Sequence, residues 1–131
     1  MGERVIHASG VIELQEDGVL LVIHNEDAEL SRDTLTDLIA KHHRIAQGRK
    51  LPVLVDASRI RSMTREAREM GGSREVGEVT SHMAIVTGSA VSAMIVNFYM
   101  RISPPHYPTR MFTSRESARA WLLELQEQGP R

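Results

Sequence analysis

The chain has no cysteine, which excludes disulfides, thiolate nucleophiles and every metal site built on thiolate ligands. Aromatic residues are scarce, at 4%, too few for the stacking platforms that hold single-stranded nucleic acid. Neither sign of charge dominates. Sixteen Lys and Arg stand against seventeen Asp and Glu, a formal net charge of −1, and they are scattered rather than blocked, so no nucleic-acid partner is expected. Met1 to Gly10 lack the basic and apolar regions of a secretory signal, which together with the missing cysteines predicts a cytoplasmic protein. A membrane span is not expected either. Val79 to Met100 contains no Asp, Glu, Lys or Arg over about the length that crosses a bilayer, but Gly88 and Ser89 break it and Ser81, His82, Thr87, Ser92 and Asn97 are polar. A buried strand followed by a buried helix accounts for it.

What is present suits one domain over residues 1–131, with 41% hydrophobic and 25% charged residues. Val5 to Gln15 favours extended structure, and Asp17-Gly18 then opens the aliphatic run Val19 to Ile23, a hairpin signal. Ser31 caps a helix on which Leu35, Leu38, Ile39, Ile45 and Ala46 share a face, ending at Gly48. Pro52 to Asp56 reads as a central strand covered on both faces. Thr64 caps a short charged helix that Gly71-Gly72 ends or interrupts. His82 to Thr87 is another buried strand, and Gly88-Ser89 leads into a helix through Met100 that stops before Pro104-Pro105. Thr109 to Phe112 forms the last strand. Thr113 and Glu116 have capping-box spacing ahead of Ala118, Trp121, Leu122 and Leu125 on one face of a terminal helix, and Gly129 to Arg131 should fray. The order β-β-α-β-α-β-α-β-α predicts an α/β fold, a mixed sheet with packed helices.

That order is similar to the one in STAS domains, the family of the SpoIIAA-like anti-anti-sigma factors. Pro52-Val53-Leu54-Val55-Asp56-Ala57-Ser58 resembles the family's central strand and its Asp-x-Ser turn, with Ile60 at a usual aliphatic position. The stretch from Tyr107-Pro108 through Phe112-Thr113-Ser114 to Ala118, Trp121 and Leu122 resembles a small group of uncharacterised bacterial SpoIIAA-like proteins. The resemblance implies a STAS (SpoIIAA-like) fold and a non-enzymatic interaction or regulatory module. It also implies a phosphorylated Asp-Ser-Ser/Thr-Gly turn before the second helix, yet this chain has Met63-Thr64-Arg65-Glu66-Ala67 there. Ser58, Ser62, Thr64 and Ser89 remain as candidate switch or anion-binding hydroxyls near helix starts, with capping the simpler role for Thr64 and Ser89.

Catalytic and metal chemistry find little support. His42 and His43 are adjacent, about 100° apart on a helix, and are expected to be partly exposed; no HExxH or HxxxH pair occurs. His24 beside Glu26 and Asp27 reads as solvated loop, and Gly88-Ser89-Ala90 lacks the second glycine of a nucleophile elbow. Arg59, Arg61, Arg65, Arg68 and Arg74 are interleaved with Glu66, Glu69, Glu75 and Glu78, a mixed solvated face. No enzyme activity, metal or cofactor is expected. The helix after Gly88 carries two apolar stripes: Val91, Met94, Ile95, Phe98 and Ile102, and on the opposite side Ala93, Val96 and Met100. A helix packed on a sheet needs one. The second stripe, Ala93, Val96 and Met100, is either covered by the terminal helix or the Pro104-Pro105 loop, or is a candidate interface for a protein partner or for self-association. The alternative expectation is a small-molecule or lipid-binding domain in which Met-rich residues line a cleft for a small apolar ligand.

Overall fold

The computed structural model describes residues 4–128, so the expected fraying of Gly129 to Arg131 lies outside the described residues. In chain order the elements are β1 (Arg4–His7), β2 (Gly10–Leu14), β3 (Leu20–His24), β4 (Ala28–Leu30), α1 (Arg32–Ala46), β5 (Leu51–Asp56) and β6 (Ile60–Met63). There follow α2 (Arg65–Gly71), α3 (Arg74–Gly77), β7 (Thr80–Val86), α4 (Ala90–Ile102), β8 (Thr109–Phe112) and α5 (Arg115–Glu127). The apolar stretch after Val79 is thus β7 and α4, and among the described residues no helix is long and apolar enough to cross a membrane.

The main sheet has six strands in the order β1-β2-β3-β5-β7-β8, antiparallel at β1-β2-β3 and parallel from β3 onward. The predicted Asp17-Gly18 turn joins β2 to β3: Gly18 has φ +90°, its N–H donates to the Gln15 carbonyl at 2.9 Å, and Asp17 Oδ1 accepts from the Val19 N–H at 3.1 Å. Successive parallel strands advance in one direction across the sheet. Right-handed crossovers then put every connecting helix on the same face, and only α5, which follows the last strand, is free to cover the other.

Strand alternation divides the core accordingly. Leu20, Val22, Val53, Met83 and Ile85 face α1, α2, α3 and α4, packing with Leu35, Leu38, Ile39, Ala67, Val76, Val96 and Tyr99. Val19, Leu21, Leu54, Ala84 and Val86 face α5, where Ala118 and Leu122 are fully buried. The small Ala118 lets α5 lie close over β5 and β7, whereas the backbone of α4 makes its main strand approach to β6.

Several details depart from the sequence reading. Val5 to Gln15 is two strands, because the chain reverses at Ala8-Ser9. Beside the main sheet, β4 and β6 form a short parallel pair that periodicity over three and four residues does not reveal. The N-cap of α5 is Ser114, not Thr113: its Oγ accepts from the Ser117 N–H at 3.2 Å. Elsewhere the caps fall as expected, with Ser31 and Thr34 forming a capping box on α1, and Gln47 and Gly48 ending it at φ +53° and +82°.

Candidate functional site

The four hydroxyl residues do not converge on one site. Ser89 caps α4, accepting from the Ser92 N–H at 3.1 Å, and its Oγ lies 3.3 Å from the Ser58 carbonyl oxygen. Ser58 and Ser89 therefore meet where β5 and β7 end, with the Ser58 N–H donating to Asp56 Oδ1 at 3.0 Å. Burial pushes the Asp56 carboxyl up, but bonds from Ser58 and from Arg115 Nε, 2.7 Å away, hold it below its ordinary value. Thr64 is occupied on α2, accepting from the Ala67 N–H at 3.2 Å, while Ser62 is exposed on β6. Capping accounts for Thr64 and Ser89.

On α4 the two stripes exchange the expected roles. Val96 is 3% exposed and sits in the core, and Ala93 and Met100 are half-buried beside it, so this side cannot serve as an open surface. The outward residues are Val91, Met94, Phe98 and Ile102, between 50% and 66% exposed. Polar-looking residues mask the inner side. Ser92 is fully buried because its hydroxyl donates to the Ser89 carbonyl at 3.1 Å, and buried Tyr99 pairs its hydroxyl with that of Tyr107. Burial raises the Tyr99 phenol to about 12. The Arg68 guanidinium lies over the Phe98 ring, 4.8 Å from its centroid, at the edge of the outer stripe.

The histidines also depart from expectation. His42 is 5% exposed, not partly open: its ring points inward in phase with Leu38 and Ala46, and Nε2–H donates to the Val79 carbonyl at 3.1 Å. Burial pushes its imidazole down to about 4. His24 turns away from the exposed Glu26 and Asp27 and is likewise buried, its Nδ1 3.0 Å from Ser9 Oγ. Burial and the neighbouring His7 ring bring it to about 4. His7 is held below its ordinary value by burial; its Nε2 bonds the Ile23 carbonyl at 3.2 Å and its Nδ1 accepts from the Ser9 N–H at 3.1 Å. Among the described residues no three His, Asp or Glu group to hold a metal ion.

His24 and His42 both line a cavity of about 90 Å³ between the sheet and the helices of its α1 to α4 face. Leu35, Leu38, Val53, Ile60, Met83 and Val96 are part of its largely aliphatic wall, Tyr99 stands at its α4 side, and among the described residues no charged side chain lines it. The wall can hold an apolar molecule, and two neutral imidazoles give it hydrogen-bonding capacity. The signal for His42 is its spacing, four residues from Leu38 and from Ala46; for the cavity as a whole no local pattern exists.

Comparison with known proteins agrees with this architecture. The chain belongs to the family described as "Domain of unknown function (DUF7793)", whose model matches residues 12–126. No curated protein matches it. Among solved structures it is similar to an uncharacterised protein of the DUF3478 family with a SpoIIAA-like fold from Shewanella loihica PV-4, at 16% identity and a TM-score of 0.56, covering 93% of this chain and 98% of that one. A protein with unknown function from Arthrobacter sp. FB24 matches at 24% identity and a TM-score of 0.33, covering 86% of this chain and 97% of that one. The fold is SpoIIAA-like.

Proposed function

We propose that this member of the DUF7793 family is a non-enzymatic interaction module that pairs with a second copy of itself through the outer face of α4. The observation that carries this is the exposed stripe Val91, Met94, Phe98 and Ile102, four large apolar side chains at helical spacing, each at least half exposed. The stripe is close to symmetric about its middle. A two-fold axis near Val96 sets Met94 of one copy against Phe98 of the other, and Val91 against Ile102, the self-complementarity that an isologous contact requires. The only charge on α4 is Arg101. Antiparallel pairing holds the two Arg101 positions about 14 Å apart along the axis, beyond strong repulsion at physiological salt.

The non-enzymatic reading is supported by the structural roles of several histidines and hydroxyls. His7, His42 and His82 each bond a backbone carbonyl, and Thr64, Ser89 and Ser114 cap helices. Sedimentation or multi-angle light scattering of the purified chain tests the proposal. A dimer that Met94→Glu or Phe98→Asp converts to a folded monomer is expected; a wild-type monomer at high micromolar concentration sinks it.

A further inference from the structure

The cavity behind α4 has a polar complement that the fold leaves unused. His42 donates through Nε2–H to the Val79 carbonyl, so in the neutral ring Nδ1 is a bare acceptor, and no hydrogen bond reaches it from the described residues. His24 is engaged at Nδ1 by Ser9 Oγ, and its Nε2 likewise has no partner among the described residues. Neither nitrogen is among the fully buried side-chain atoms that lack a partner, so both keep some accessible surface, and both belong to residues that line one otherwise apolar space.

We propose that this cavity is a binding site for a small neutral molecule, apolar over most of its surface and bearing one hydroxyl or N–H group, of about the size of phenol. Its apolar part lies against Leu38, Ile60 and Val96, and its donor meets His42 Nδ1. The absence of charged wall residues excludes an ion, whose desolvation nothing would offset. Size sets the upper limit. The space of about 90 Å³ is smaller than an engineered cavity of ~150 Å³ that holds benzene, so a ring fits only with adjustment of Met63 and Met83, whose unbranched side chains adapt readily. The site uses the inner side of α4 and stands independently of the pairing proposed for its outer side.

Titration of the isotope-labelled full chain with phenol, benzene and benzoate, followed by NMR, tests this. Saturable shifts at Leu38, Ile60 and Val96 are expected with phenol, binding about fivefold tighter than benzene, the worth of one hydrogen bond; benzoate should produce none. Ala57→Leu and Val96→Phe, which fill the space, should abolish the shifts. If neither variant folds, the ratio of phenol to benzene affinity on the unaltered chain decides. Equal affinity for the two overturns the imidazole contact. Shifts confined to Met94 and Phe98, or no saturation with any probe, overturn the site.

Discussion

Ser9 Oγ and His24 Nδ1 lie 3.0 Å apart in a place almost closed to water, Ser9 being 6% and His24 5% exposed. Burial keeps this ring neutral, as it does that of His42, each with its pKa pushed down from 6.5 to about 4. As pH falls below 6.5 the unfolded chain takes up protons that the folded chain refuses until about 4. Stability from these rings is therefore intact above the unfolded value and is lost between it and the folded one, on the order of 3 kcal/mol per ring. Urea unfolding at pH 7, 6, 5 and 4 should show a steadily falling midpoint. A constant midpoint from pH 7 to 5 would contradict neutral burial.

Gly10 is set by close approach. A Cβ there would lie 1.8 Å from the Ile23 carbonyl oxygen, a backbone atom of the paired strand. Gly10→Ala should cost upwards of about 3 kcal/mol, or prevent folding, because β2 and β3 would have to separate. Gly71→Ala is the control: its nearest neighbours are side-chain atoms at 3.8 Å or beyond. Thermal unfolding of the two variants compares them directly, and similar losses would count against the β2-β3 geometry.

The reversal of the α4 stripes separates two substitutions. Val96→Ala removes buried methyl groups and should cost about 1–3 kcal/mol. Phe98→Ala, at a half-exposed position whose ring contact is with Arg68, should change the stability of the isolated chain by less than about 1 kcal/mol. Denaturation at concentrations low enough to exclude pairing measures both; the opposite ranking would restore the stripe order expected from hydrophobicity.

Ser89 caps α4 and lies against the Ser58 carbonyl, whereas Ser62 is exposed on β6. Ser89→Ala should cost about 1 kcal/mol, and Ser62→Ala should lie within about 0.5 kcal/mol of wild type. Melting temperatures suffice to rank them. Equal effects would remove the structural distinction drawn between these hydroxyls.

Much of the fold was legible because the signals were local. Ser31, Gly48, Asp17-Gly18 and the run Pro52 to Asp56 each carry backbone or burial preferences that a short stretch expresses. What was not legible depends on distant partners. His42 is polar by type, and only the Val79 carbonyl, brought in from the start of β7, makes its burial tolerable. Ser92 and Tyr99 similarly made the inner side of α4 look less apolar than the outer one. The pair β4-β6 is joined by contacts across α1 and β5 and leaves no period to read. The candidate site suffers most from this, since its wall is gathered from strands and helices throughout the chain.

The monotonic strand order also bears on synthesis at the ribosome. From β3 onward each new strand of the main sheet adds beside the one before it, and each connecting helix settles on the same face. Throughout that growth Val19, Leu21, Leu54, Ala84 and Val86 lack the helix that covers them, because α5 is made only after every strand of the sheet. A nascent chain stalled or cleaved before Arg115 presents this row of apolar side chains to water and to its neighbours, the condition under which partly built sheets aggregate or are captured by chaperones.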